Sequence, residues 1–227
     1  MGLSVVILSK DAGNLVPCVE AVRKHEPTAR IIVVDDGIDL SSADSKSPYH
    51  CWLCDMDPML RVPGQKPFIF SRNANIGIQA AEQDDVVLLN DDALLESPGG
   101  FSLMQRDAQE HPEFGIVGAT TNVTGQPLQW RRDIGLREVP HIAFVCVLLP
   151  RRTVEQLGGL DERYCLDYGC EDRDYCEAVT RAGLKVGVHD GCYVDHGSLH
   201  STYRGDPRAP KSFEKNYRLF RQKWGIA

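Results

Sequence analysis

A short stretch, Val86-Val87-Leu88-Leu89-Asn90-Asp91-Asp92, restricts the fold more than any other part of this chain. Four apolar residues, β-branched at the start, run directly into three polar ones, two of them acidic. A strand buried on both faces of a parallel sheet reads as such a continuous apolar run. Ligands of open α/β sheets bind beyond the carboxyl ends of their strands. Two carboxylates at that place can hold a divalent cation, and Mg²⁺ or Mn²⁺ with oxygen ligands commonly carries phosphates. The plainer alternative is a strand that ends in a polar turn with a solvated acidic pair.

At 227 residues the chain is long enough for one large domain that buries a core without staples. Its net charge of −7 argues against a general binder of polyanions. No run approaches the roughly eighteen apolar residues of a membrane span. Residues 1–8 lack a basic segment and a cleavage site, so no signal peptide is expected and a cytoplasmic protein is. The eight cysteines are then read as reduced thiols. Cys51-Trp52-Leu53-Cys54 has the spacing of half a zinc site or a redox pair, but no second pair follows. Asn122-Val123-Thr124 matches a glycosylation sequon, without meaning in a cytosolic chain.

Hydrophobic periodicity predicts alternating strands and helices in the first half. Strands are expected at 3–8, 31–34 and 86–89, with a short one near 51–54 and a loop over 55–66. Helices are expected at 13–25, with Asn14 as N-cap and Pro17 in the first turn, and at 74–83. This alternation implies a parallel, doubly wound sheet. The second half predicts helices at 101–111, 152–157 and 172–182, the last with Gly183 as its C-cap. Strands are expected at 115–119, 142–149, 185–189 and 192–196. No repeat or linker interrupts the chain.

Several segments in fixed order carry a family resemblance. They are Leu3-Ser4-Val5-Val6-Ile7-Leu8-Ser9, Ile32-Val33-Val34-Asp35-Asp36-Gly37, Arg72-Asn73-Ala74-Asn75-Ile76-Gly77-Ile78 and Leu88-Leu89-Asn90-Asp91-Asp92-Ala93. After them come Gly158-Gly159-Leu160-Asp161-Glu162-Arg163-Tyr164, Gly169-Cys170-Glu171-Asp172-Arg173-Asp174 and Arg181-Ala182-Gly183-Leu184-Lys185-Val186. Over residues 3–200 the chain resembles family 2 of the glycosyltransferases, which has the GT-A fold. The resemblance implies an α/β GT-A domain over 1–200, with a Rossmann-like, mostly parallel sheet flanked by helices. Its donor-binding half is about 1–95 and its acceptor and catalytic half about 96–200; a basic tail follows at 201–227. It also implies an inverting, hexosyltransferase-type enzyme that uses a nucleoside-diphosphate sugar, with UDP the expected nucleotide, and a divalent cation, Mn²⁺ or Mg²⁺.

Individual residues take roles from the same resemblance. Asp36, at the end of the second strand, matches an acid that binds the nucleotide base; an Asp-Gly turn without a ligand is the alternative. Ser9 and Lys10 end the first strand and line the same pocket, with Lys10-Asp11 where the family often has Tyr-Asn. Arg72 and Asn73 match an Arg-Asn pair, and a guanidinium suits bidentate contact with phosphate; a surface salt bridge is the alternative. Asp92 matches the metal-ligating acid of an Asp-X-Asp corner, and Asp91 the position that touches ribose or metal. Asn90 replaces the first acid of that corner. Asp172 matches the general base, with Glu171 beside it; an acidic helix start that complements the dipole is the alternative. His196 matches a histidine that completes the metal site, against the alternative of a surface loop residue. His200 is a weaker candidate. The metal's role is to neutralise and orient the departing diphosphate.

Residues 203–223 carry seven basic side chains against Asp206 and Glu214, a local charge of +5. Phe213, Tyr217, Phe220 and Trp224 recur at helical spacing, which predicts an amphipathic C-terminal helix packed on the domain. The charge asymmetry suggests an anionic partner. The helix is then a brace with a solvated basic face, a lid over the donor diphosphate, or a contact for an anionic acceptor. The acceptor is left open among a glycan, a small molecule and a hydroxymethylated nucleic-acid base. Two other functions compete. A nucleotidyltransferase usually has a Gly-rich basic loop after its first strand, which Ser9-Lys10-Asp11-Ala12-Gly13 matches poorly. A sugar-nucleotide-binding module without turnover does not need Asp92, Asp172 and His196 together.

Overall fold

A computed structural model describes residues 2–38, 59–164, 169–201 and 209–226. Cys51, Cys54 and the expected strand at 51–54 lie outside the described residues. The first half builds β1 (Leu3–Ser9), α1 (Ala12–His25), β2 (Arg30–Asp35), β3 (Met59–Pro63), α2 (Phe70–Ala80), β4 (Asp85–Asn90) and β5 (Leu94–Leu95). The second adds α3 (Gly100–Glu110), β6 (Phe114–Thr121), β7 (Leu136–Val139), β8 (Cys146–Leu149), α4 (Arg151–Leu157), α5 (Glu171–Arg181), β9 (Lys185–Asp195) and α6 (Ala209–Trp224).

One nine-stranded sheet runs in the order β3-β2-β1-β4-β8-β6-β9-β5, with β7 also paired to β9. Strands β1, β2, β3, β4, β6 and β9 point one way; β5, β7 and β8 oppose them. The expected single α/β domain with a mostly parallel sheet is what forms. Successive side chains of a strand face opposite sides of its sheet. Val5, Ile7, Val33, Val87 and Leu89 therefore pack with Leu15 and Val19 of α1 and Met104 of α3. Val6, Ile32, Val34 and Leu88 pack with Ile78 of α2 and Val179 of α5 on the other side. Both faces are covered, so the strand sequences are apolar throughout rather than alternating. At Gly77 a Cβ would overlap Val6, so only glycine lets α2 lie this close to β1.

Several elements differ from expectation for local reasons. Asp11, not Asn14, caps α1, its Oδ1 accepting from Gly13 N at 2.8 Å. Pro17 thus falls inside the helix. Asn14 is buried and its amide donates to the His200 carbonyl at 2.5 Å. The stretch expected to be a loop at 55–66 contains β3, an edge strand whose Pro63 terminates pairing with Asp35. β8 is shorter than the expected 142–149. The buried Gln129 side chain accepts from Ala143 N at 2.7 Å and donates to Ala143 O at 3.1 Å, which takes this segment out of the ladder. The two expected strands at 185–196 are one, β9, whose register against β6 shifts between Ala119 and Thr120.

The C-terminal helix forms as its aromatic spacing predicts and docks through a partly buried ionic cluster around Asp174. Asp174, on α5, accepts from Tyr164 Oη, Lys223 Nζ and Trp224 Nε1, each at 2.7 Å. Lys223 also reaches Asp161 Oδ2 at 2.8 Å. Arg163 and Lys223 together hold the Asp161 carboxyl well below its usual range. One of the seven tail cations is thus committed inside the fold. Removing one partner of a buried ion pair leaves the other charge uncompensated. Lys223→Met is expected to lower the unfolding free energy by about 3 kcal/mol in denaturant titration. A change under about 0.5 kcal/mol, as for an ordinary surface site, would contradict the clamp.

Candidate active site

The carboxyl ends of β1 and β4 lie side by side and place Ser9 next to the acidic corner. Asp91 is buried, and Ser9 Oγ donates to its Oδ2 at 2.7 Å. Burial pushes the Asp91 carboxyl up to about 7; the Ser9 bond opposes this, and the Asp92 charge adds to it. Beneath the corner the Cys18 thiol donates to Ala93 O at 3.4 Å.

Asp92 is also buried, with Oδ1 3.0 Å from His196 Nε2. The other ring nitrogen, Nδ1, lies 2.7 Å from the Val123 carbonyl. A carbonyl only accepts, so Nδ1 carries the proton. In the neutral imidazole, Nε2 is then a lone pair facing a carboxylate oxygen, an arrangement that a proton or a cation must reconcile. Adjacent ligands around an octahedral Mg²⁺ or Mn²⁺ at about 2.1 Å stand about 3 Å apart. The Asp92–His196 pair fits that edge. Among the described residues no group of three or more His, Cys, Asp or Glu side chains could hold a metal. Two protein donors would leave the other positions to water and substrate oxygens, the usual habit of Mg²⁺.

Asn122 supports the histidine. Its Oδ1 accepts from His196 N at 2.8 Å, and its Nδ2 donates to Asp195 Oδ1 at 2.6 Å. The sequence reading missed this role for Asn122 and Val123. Their signal, the sequon match, carries no information about hydrogen bonds to a residue more than seventy positions away.

The opposite wall is the start of α5. Gly169 and Cys170 both have positive φ, +91° and +81°. Such a conformation is strained for cysteine, and it turns the chain sharply into the helix. Glu171 and Asp172 follow at once, at the positive end of the helix dipole. Asp172 Oδ1 accepts from Arg173 N at 2.6 Å, and the Phe144 amide also bonds this carboxylate. Burial raises both carboxyls above their usual range, and the Asp172 charge raises Glu171 further.

One pocket of about 430 Å³ is lined by Asn90, Asp91, Asp92 and His196 on one side and by Glu171, Asp172 and Arg173 on the other. Phe144 and Phe213 also line it. The structure therefore brings together five of the expected site residues: Asp91, Asp92, Glu171, Asp172 and His196. Ser9 stands one hydrogen bond behind them. Lys10 is exposed beside Asp91 and lowers the Asp91 pKa through its charge.

The remaining expected residues cluster outside this lining, where the loop after β3 meets α2. Asp36 is buried with Oδ1 2.8 Å from Lys66 Nζ, a partner that sequence reasoning did not single out. Asn73 Oδ1 accepts from Gln65 N at 2.9 Å, and Arg72 Nη2 donates to the carbonyls of Gln65 and Pro67. Among the described residues, the buried Arg72 Nε and Asn73 Nδ2 have no hydrogen-bond partner.

No family model matches the sequence, and no curated protein matches it significantly. Solved structures do. GalNAc-T7 with UDP, GalNAc and Mn²⁺ superposes with a TM-score of 0.76 at 15% identity, over 98% of this chain and 48% of that one. TarS of S. aureus in complex with UDP-GlcNAc gives 0.70 at 12% identity, over 98% of this chain and 66% of that one. TarS alone gives 0.68 at 13%, over 98% and 65%. The chain spans about half the length of the GalNAc-T7 structure and just under two thirds of TarS. Strand order, the acidic corner after β4 and these superpositions together identify the fold as the GT-A type of glycosyltransferases.

Proposed function

We propose that this chain is an inverting, metal-dependent glycosyltransferase that takes a hexosyl group from a UDP-sugar. The observation that carries the reading is the pairing of two walls across one pocket. One wall, Asp92 with His196, suits a cation and the diphosphate it accompanies. The other, Asp172 with Glu171, suits proton removal from an acceptor. The structural neighbours support the donor class, since UDP or UDP-GlcNAc is bound in two of them.

Asp92 Oδ1 and His196 Nε2 would hold Mn²⁺ or Mg²⁺. When bound, the cation supplies charge neutralisation on the departing diphosphate. Asp36, Ser9 and Lys10 belong to the nucleotide side of the site. Arg72 and Asn73, beside Gln65 and the Lys66 that pairs with Asp36, belong to the same side. Asp172 takes the proton of the acceptor hydroxyl as that oxygen bonds to the anomeric carbon. The bond from that carbon to the diphosphate oxygen breaks on the opposite face, so the configuration inverts. The raised pKa of Asp172 brings its basicity closer to neutral pH, where a general base works best.

Among the described residues no helix is long and apolar enough to cross a membrane. The five described cysteines are all free thiols. Free thiols suit a reducing compartment, and a cytoplasmic location is proposed on that ground.

The test is UDP release from UDP-GlcNAc, UDP-GalNAc, UDP-glucose and UDP-galactose with Mn²⁺, in the parent chain and in Asp172→Asn. Asn keeps the shape but accepts no proton. Turnover is expected to fall by roughly 10²–10⁴-fold, with donor affinity changed far less. Because the base must be ionised, the rate falls as pH drops through the raised Asp172 pKa. The acid limb is therefore expected above about pH 4, where an ordinary Asp titrates. Near-parental turnover in Asp172→Asn would remove the assigned base, and a parent inert toward all four donors would contradict the reading.

A further inference from the structure

The wall that carries Asp172 has a second feature. Phe213, on α6, is 45% exposed although it is aromatic, and it lines the same pocket as Asp172 and Arg173. Two contacts orient it. The ring is parallel to Tyr217, with centroids 6.0 Å apart and an interplanar angle of 5°. A Cβ on Gly169 would lie 2.6 Å from Phe213 Cδ2, so the ring rests directly against the glycine backbone that opens α5. Gly169 also leads in two residues to the acidic pair, so α5 and α6 hold the ring and Asp172 together.

Polar and acidic groups stand among the apolar lining of the pocket around this ring. Thr124 and Gln126 contribute a hydroxyl and an amide, and His141 lies 2.7 Å from Gln126 Oε1. Four carboxylates line the pocket. Beside the ring the Glu171 and Asp172 carboxyls stand with one cation, Arg173, so this wall offers no excess of positive charge to an anionic acceptor. The exposed basic face of α6, with Lys211, Lys215 and Arg218, lines a separate depression. Aromatic surfaces, here Phe213 with Phe68, Phe70 and Phe144, among a few placed polar groups are the usual make-up of a small-molecule site. A pyranose ring has the matching form, with an apolar C–H face and a rim of hydroxyls.

Resting on the glycosyl-transfer reading above, we propose that Phe213 is the platform for a neutral pyranose acceptor. The C–H face of that sugar lies on the Phe213 ring, and one of its hydroxyls reaches Asp172.

The test is direct binding, so it does not depend on turnover. The probes are the methyl glycosides of glucose, galactose, N-acetylglucosamine and N-acetylgalactosamine, added to the full chain with UDP and Mn²⁺ and observed by saturation-transfer NMR. At least one is expected to bind through its C–H face. Phe213→Ala is expected to weaken that binding by about tenfold or more, and Phe213→Trp to restore it. Lys215→Gln, on the separate depression, is expected to leave it unchanged. Equal binding in Phe213→Ala, or no glycoside bound by the parent, overturns the platform. Binding of a DNA oligonucleotide that is lost in Lys215→Gln while no glycoside binds overturns it in favour of the basic face. UDP release from the four UDP-sugars, measured on the same protein preparations without added UDP, decides the transfer reading separately.

Discussion

Two buried carboxylates at the end of β4 are the costly feature around which this molecule is arranged. Taking charges out of water carries a penalty that only partners, hydrogen bonds or a change of protonation can offset. Asp91 meets it with the Ser9 hydroxyl and with a pKa near 7. Asp92 meets it with the imidazole of His196. That imidazole is in turn oriented by Val123 and held in place by Asn122, and Asn14 on α1 ties down the segment that follows at His200. Hydrogen bonds from α1 and from the loop after β6 thus converge on residues 196–200, the segment that brings His196 to the acidic corner. These bonds from within the fold orient the corner's side chains, which lowers the cost of ordering them on binding.

The second wall depends on the C-terminal helix. The first turn of α5 contains Glu171, Asp172 and Asp174. Asp174 turns away from the pocket and anchors Lys223 and Trp224, while Asn216 donates to the Gly169 carbonyl at 3.1 Å. Phe220 is buried against Tyr164 and Cys170. α6 therefore acts on both ends of the short segment that presents Asp172. It is a brace that also carries the aromatic ring at the pocket, and its basic residues divide between a buried clamp and a solvated face.

How much could be read in advance follows from which interactions are local. β1, β2 and β4 were legible because burial on both faces leaves nothing but apolar residues. β3 was not, because an edge strand rich in Met, Arg and Pro has neither a continuous nor an alternating pattern. β9 read as two strands because Asp190-Gly191 falls where its register against β6 shifts. Asp91, Asp92, Glu171, Asp172 and His196 could be found from motif order, since each stands at the end or start of an element. Asn122 could not, since its function is a contact across the fold. Lys66 was hidden for the same reason, and so was the commitment of Lys223 inside the fold. Net tail charge counts cations without saying which are already paired.

The central claim is that the Asp92–His196 edge binds a divalent cation together with a diphosphate. Isothermal titration of UDP into the parent chain, once with saturating Mn²⁺ and once with EDTA, tests it most directly. Binding is predicted to be at least about tenfold tighter with Mn²⁺. Equal affinity in the two titrations would contradict a shared cation and diphosphate site at this corner.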